Sequence, residues 1–344
     1  MARPMPAPGR PRCTRAARAA GLALACAMSA RPASSAVLRD NLYDVKAVDG
    51  REAWAVGNFG AIYHTADAGK TWQPRDSGTK TPLFGVDFAG RNDGWVVGKS
   101  ALILHTKDAG ATWTRQTSPI GSQKPLFKVR ALDARTAWAV GDWGAVTVTH
   151  DGGENWEDRS LTDDVVLYDV SFPDAQHGFV AGEYGTLLAT DDGGATWTKR
   201  PVGTEKTLFG VSFSTPRQGW VVGIDGLVLR TRDGGGTWEV QRGSVAAGSI
   251  EELGFLEALK NPGLYGVQVA GRYGVVTGDT GMVLTSTDGG ETWVRHELPG
   301  KQQLVWLRAV SLGDGPEGFV VGGNGFTARI EQDRVVLPAA VETR

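Results

Sequence analysis

The sequence predicts an all-β fold, a single seven-bladed β-propeller. Three observations carry that expectation: a unit that recurs seven times, a turn motif kept in six of those units, and 48 glycines alongside 12 tryptophans in 344 residues. The units begin at Leu42, Leu83, Leu126, Leu167, Leu208, Leu264 and Leu307, at spacings of 41, 43, 41, 41, 56 and 43 residues. Periods of roughly 40–45 residues with four strands apiece are the signature of propeller blades. Frequent tight turns with a large aromatic recurring between them fit many short strands. A chain of this length still forms one domain when it is a barrel or a propeller.

Each unit opens on an alternating strand, such as Leu83-Phe84-Gly85-Val86-Asp87-Phe88 or Leu208-Phe209-Gly210-Val211-Ser212-Phe213. A short apolar strand ending in glycine follows. It carries one large residue at a fixed place: Trp54, Trp95, Trp138, Phe179, Trp220, Val275 and Phe319. Next comes a two-residue connection closed by Gly60, Gly144, Gly185, Gly226, Gly281 or Gly325, which reads as a tight hairpin. Ala101 stands in that place in the second unit, so a different turn is expected there.

A third strand runs into the most specific motif, [TS]-x-D-x-G-x-[TN]-W, first seen as Thr65-Ala66-Asp67-Ala68-Gly69-Lys70-Thr71-Trp72. The pattern describes a stapled turn. Its aspartate accepts backbone N–H bonds, its glycine supplies a positive φ, and its tryptophan is expected to fold back on the hairpin and bury its ring. The pairs are Asp67 and Trp72, Asp108 and Trp113, Asp151 and Trp156, Asp192 and Trp197, Asp233 and Trp238, and Asp288 and Trp293. A catalytic carboxylate would not be needed six times; these are structural residues.

The seventh unit reads Glu331-Gln332-Asp333-Arg334 where the box should be. Terminal repeats are commonly atypical. A propeller must also cover its last edge. Ala36-Val37-Leu38-Arg39 precedes Leu42 as an outer strand precedes each later unit, so it is expected to pair onto blade seven. The sixth unit starts late because of an insertion over 243–262. Within it Ser249-Ile250-Glu251-Glu252 fits a capping box, and Ile250, Leu253, Leu256 and Leu259 fall at helical spacing before Pro262-Gly263. A short amphipathic helix packed on the propeller is expected.

Residues 1–36 read as a secretory signal peptide, and 37–344 as the propeller. The leader holds Arg3, Arg10, Arg12, Arg15, Arg18 and Arg31, no acidic residue, an apolar run from Ala19 to Ala30, and Ser34-Ser35-Ala36 as a cleavage site. The apolar run is shorter than the roughly 20 residues that span a bilayer. Both cysteines, Cys13 and Cys26, lie in it, and Leu22-Ala23-Leu24-Ala25 fits a lipidation box poorly. Removing the leader takes six of 36 basic residues and none of 38 acidic ones, leaving a formal charge of −8. So acidic a body argues against a nucleic-acid or anionic-membrane surface.

Enzyme chemistry finds little support. Gly69-Lys70-Thr71 lacks the earlier glycine of a phosphate-binding loop, where His64 stands. The run Gly313–Gly318 spells G-x-G-x-x-G but lacks a βαβ context. No nucleophile elbow or H-E-x-x-H motif occurs. The histidines are scattered, and His64 and His105 occupy equivalent places in two units, so neither a metal nor a cofactor is expected. A glycosidase needs two carboxylates facing one pocket, and no pair stands apart from the repeat.

What does vary is the turn between the second and third strands. The central residues are Asn58-Phe59, Lys99-Ser100, Asp142-Trp143, Glu183-Tyr184, Ile224-Asp225, Asp279-Thr280 and Gly323-Asn324. These turns should converge near the axis on one face, which the insertion would wall. Phe59, Trp143 and Tyr184 are candidate partner-binding residues because exposed aromatics are enriched in hot spots; the alternative is that the three rings simply cover the central channel. Asp142 and Glu183 beside them would favour a basic patch on the partner.

The motif resembles the Asp-box, or BNR, propellers, among them sialidases, xyloglucanases and sorting receptors. Over residues 40–340, the combination L-[FY]-x-V-x-F, G-W-x-V-G-x-x-G and T-x-D-G-G-x-T-W is similar to one branch, the photosystem II assembly/stability factors. That resemblance implies an exported, non-enzymatic, monomeric propeller that binds subunits of a membrane protein complex and touches the membrane peripherally. It places the protein in the periplasm, or in a thylakoid lumen if the host is photosynthetic. The branch is associated with an arginine-rich patch; Arg217, Arg230 and Arg232 are the nearest concentration here, and no residue-by-residue match carries the patch over. The alternative is a glycoside hydrolase of sialidase or xyloglucanase type. Sialidases, however, have six blades, an arginine triad and a tyrosine nucleophile. Tyr43, Tyr168 and Tyr265 sit instead at the aromatic place of the first strand.

Overall fold

A computed structural model describes residues 38–241, 262–313 and 315–338. These residues form seven four-stranded antiparallel sheets, each a simple meander in chain order. The first blade comprises β1 (Leu42–Ala47), β2 (Ala53–Gly57), β3 (Ile62–Thr65) and β4 (Gln73–Arg75). The innermost strands of the later blades are β5 (Leu83–Ala89), β9 (Leu126–Ala131), β13 (Leu167–Ser171), β17 (Leu208–Phe213), β21 (Leu264–Ala270) and β25 (Leu307–Leu312). The repeat read from the sequence therefore starts each blade at its first residue. The proposed helix over 249–259 lies outside the described residues, as does the leader.

Burial peaks in the middle strands of each blade. The second strands are almost wholly buried, whereas outer strands such as β4 and β12 (Glu157–Asp158) are exposed. The core accordingly sits between blades. One cluster joins Trp95, Val97 and Ile103 of blade two to Leu126, Val129 and Ala139 of blade three. The glycine ending each second strand answers to a close approach: a Cβ on Gly98 or Gly141 would run into the carbonyl oxygen of Pro82 or Pro125.

The Asp-boxes are stapled turns, but their tryptophans act between blades. The Asp108 carboxylate accepts the N–H and hydroxyl of Thr112 at 2.8 and 2.7 Å and the Thr106 hydroxyl at 2.8 Å. These bonds, those from Thr112 first, hold its carboxyl down at about 2. Trp113 also reaches beyond its own hairpin. It meets Trp54 and Phe88 edge-on at 6.1 and 5.9 Å, and Trp197 meets Trp138 and Phe172 in the same way at 5.8 and 6.0 Å. The neighbouring blade, through Trp54 or Trp138, adds an aromatic face to the one that the ring's own blade offers through Phe88 or Phe172. Gly194, with φ at +89°, fits against Trp138 where any Cβ would collide with the indole.

Two expectations are corrected. Blade seven takes its outer strand from the end of its own unit, β28 (Arg334–Val336), paired with β27 (Thr327–Glu331) across the turn Gln332-Asp333. The third strand thus has no free edge for the segment before Leu42. Leu38 and Arg39, the described part of that segment, form no strand; Leu38 packs into the cluster joining blades one and seven. The turn at Ala101 is also like its counterparts: Ala101 adopts φ of +53°, in the left-handed region where Gly144 has +65°.

Candidate binding face and channel mouth

The innermost strands surround a channel, and a shared irregularity shapes its mouth. In every blade the register between the first and second strands slips after the first residue, as between Leu42 and Asp44. The extra residue is a β-bulge, which re-aims a side chain. The bulged residues are Tyr43, Phe84, Phe127, Tyr168, Phe209, Tyr265 and Arg308, and all seven line a cavity of about 250 Å³. Six aromatics run round it, with successive ring centroids 5.4, 5.5, 6.0, 5.0 and 5.2 Å apart. Arg308 completes the circle, its guanidinium 5.1 Å from the Tyr265 ring and 5.9 Å from Phe209.

The hairpin turns rise around this mouth. Where the bulged residue is tyrosine, the first residue of the same blade's turn accepts its hydroxyl. Tyr43 donates to Asn58 at 2.6 Å, Tyr265 to Asp279 at 2.7 Å, and Tyr168 to Glu183 at 3.4 Å. Burial, together with the Glu183 carboxylate, pushes the Tyr168 hydroxyl up to about 12. Glu183 therefore holds the mouth together as well as standing near the rim. Asp142 caps the next residue, accepting the Trp143 N–H at 2.8 Å.

The three candidate aromatics lie on this face. Phe59, Trp143 and Tyr184 are 70, 52 and 67% exposed. Each occupies the left-handed region, with φ of +55°, +54° and +53°. The same turn position is left-handed in the other four blades, at Ser100, Asp225, Thr280 and Asn324, so the turn imposes this backbone and what sets these three apart is a bulky exposed ring in it. The sequence reading missed Leu304, 82% exposed in the loop before blade seven and beside Asn324. It also missed the bulged ring, whose signal was an aromatic at the second place of six units and an arginine in the seventh.

Deeper in the channel the walls are charged and committed to structure. Lys128 reaches both Asp44 oxygens at 2.8 and 2.9 Å; Lys46 pairs with Asp87 at 2.7 Å. Each aspartate also accepts a backbone N–H from the next blade: Asp44 from Val86, Asp87 from Ala131 and Asp169 from Val211. Ser171, Ser212, Gln268 and Ser311 do the same for Phe213, Val269, Leu312 and Ala47. Among the described residues this link is missing only between blades three and four, where Lys128 and Arg130 stand at the equivalent places. Burial raises the Asp169 carboxyl, with Lys128 opposing.

Other candidates are absorbed by packing. His64 and His105 stack on Trp54 and Trp95 of their own blades, each at 4.2 Å. Arg230 lies against Trp220 and pairs with Glu291; Arg232 bridges Glu239 and Glu291. Two of the three clustered arginines thus join blades five and six. Among the described residues, no group of three His, Cys, Asp or Glu is placed to hold a metal ion.

A family model described as photosynthesis system II assembly factor YCF48 matches residues 32–163, 155–205 and 201–306. No curated protein matches the chain by sequence. Among solved structures, YCF48 bound to D1 peptide is 21% identical with a TM-score of 0.68, covering 86% of this chain and 93% of that one. YCF48 from Cyanidioschyzon merolae is 22% identical, with a TM-score of 0.66 and coverage of 86% and 96%. The GH74 xyloglucanase from Xanthomonas campestris is 15% identical with a TM-score of 0.67, covering 87% of this chain and 53% of its own. At these identities the structural likenesses establish the fold.

Proposed function

The chain belongs to the family of the photosynthesis system II assembly factor YCF48, and we propose that it is an exported, non-enzymatic propeller that binds a segment of a membrane-complex subunit. The observation that carries the reading is three exposed aromatics, Phe59, Trp143 and Tyr184, held in left-handed backbone on the face that opens the channel. The turn takes that backbone in every blade, but only these three place a large ring on it, and packing gives the exposed rings no reward. A relative has been solved with a D1 peptide, which supports a protein ligand here. In a photosynthetic host the partner is a photosystem II subunit; in any other host it is another membrane complex. The protein acts as a monomer outside the cytoplasm.

The test is capture from the native membrane fraction. Trp143→Ser combined with Tyr184→Ser should abolish capture and leave the melting temperature intact. Unchanged capture, or a loss of stability alone, would refute the assignment of this face.

A glycosidase reading has one observation in its favour: Asp44 and Asp169 line the same cavity. Their oxygens, however, are occupied by Lys128 and by N–H groups of Val86, Val170 and Val211. Hydrolysis of xyloglucan or of aryl glycosides by the purified protein would reverse this preference.

A further inference from the structure

Arg308 is the exception that the repeat does not require. Six blades satisfy the bulged place with an aromatic ring, and a seventh ring would have closed the belt by packing alone. The guanidinium stays charged at neutral pH, and placing such a charge against low-dielectric walls is costly unless it is paired. The other channel cations are paired: Lys46 and Arg130 with Asp87, Lys128 with Asp44. Among the described residues no carboxylate comes within salt-bridge distance of Arg308. Its contacts are the faces of Phe209 and Tyr265, which leave its in-plane N–H donors unused. The lumen as a whole carries Lys46, Lys128, Arg130 and Arg308 against Asp44, Asp87 and Asp169, in a chain whose acidic residues outnumber its basic ones.

We propose that Arg308 is a carboxylate receptor: the bound segment inserts a carboxyl group into the aromatic mouth, where the guanidinium fork engages it while the neighbouring rings exclude water. This deepens the reading of the face as a protein-binding surface and rests on it. Arginine suits the role because its planar donors match a carboxylate two-to-two, and removal from water strengthens the pair. The carboxyl can come from a chain terminus or from an aspartate or glutamate side chain. The turn residues Asp142 and Asp279, of which Asp279 also accepts the Tyr265 hydroxyl, suit basic residues flanking that carboxyl.

The experiment is calorimetric titration with three peptides of one neutral, Tyr- and Ala-containing sequence. One has a free C-terminus, one is amidated with a single internal Glu, and one is amidated with no acid. Hippurate and its amide serve as small probes. At least one carboxylate peptide, and hippurate, should bind about tenfold or more tightly than the matching neutral compound, as expected for a charge-assisted pair. Arg308→Gln and Arg308→Phe should reduce binding to the neutral level, and Arg308→Lys should restore part of it. The Phe variant completes the ring, so it keeps the fold while removing the charge. Preference for the free terminus identifies a chain end, and preference for the Glu peptide identifies a side chain. Equal affinity for acid and neutral probes, carboxylate binding that survives Arg308→Phe, or no binding of any acid at millimolar concentration would overturn the proposal. Hippurate binding with membrane capture unaffected by the Trp143/Tyr184 double change would instead overturn only the reading of the face.

Discussion

Ser311 and Ala47 close the ring: the Ser311 hydroxyl oxygen accepts the Ala47 N–H at 3.0 Å across a sequence separation of 264 residues. The same kind of bond links Gln268 to Leu312 and Ser212 to Val269, so closure reuses a contact found between most neighbouring blades. Blades one and seven then share a cluster of Leu42, Val45, Trp72, Ala309 and Phe319. Ser311→Ala leaves a buried N–H without its acceptor and should cost about 1–3 kcal/mol by urea unfolding. A change within error would show that the apolar cluster alone closes the ring.

Trp138 and Trp197 should differ in their contributions. Trp138 is 2% exposed at the junction of blades three and four, whereas Trp197 is only half-buried against it. Truncating a buried tryptophan to alanine costs about 3–5 kcal/mol. Trp138→Ala should reach that range, with Trp197→Ala well below it and the fold retained. If Trp197→Ala proves as damaging, the box tryptophan is a core element and not a seam.

Trp143→Asn and Tyr184→Asn should each raise the melting temperature while weakening membrane capture. Asparagine tolerates left-handed backbone, whose strain for other residues is about 1–2 kcal/mol. Relief is the expected direction because both rings are exposed. A fall in melting temperature on either change would mean that the ring is packed for stability.

Acid should unfold the propeller in two stages. His105 is buried on Trp95, accepts a bond from Gln116 at Nδ1, and has no partner at Nε2; burial lowers it from 6.5 to about 4. The unfolded chain therefore binds that proton first, and stability falls as pH drops from 6.5 towards 4. His64 and His296 shift in the same direction. The box carboxyls, lowered from 3.8 to about 2 at Asp108, Asp151, Asp192, Asp233 and Asp288, contribute stability above 3.8 that is lost as pH falls towards 2. Urea midpoints measured against pH should show both declines, and His105→Phe should flatten part of the first. A profile unchanged by that substitution would contradict the assignment.

Export is expected to remove the leader after Ala36. N-terminal sequencing of protein recovered from outside the cytoplasm should begin at Val37; recovery with an intact Met1 or Ala2 would contradict it.

The sequence by itself determined the blades, because every blade solves one local problem with one set of residues. An alternating strand, a glycine where two backbones touch, and an aspartate that gathers N–H groups are short-range demands, and they recur in step. The boxes were therefore legible down to single residues, and so were the hairpin tips that carry Phe59, Trp143 and Tyr184. Tertiary structure decided what each blade does to its neighbour. The bulge that turns Tyr43 and Arg308 into the mouth depends on register between strands, which alternation alone does not encode. Trp197 reads as part of its own hairpin until a second blade supplies Trp138 beside Phe172 of its own. Arg308 reads as one more surface arginine until seven inner strands meet round an axis. Charges such as Asp44 and Lys128, 84 residues apart, acquire partners only when the ring closes and excludes water between them.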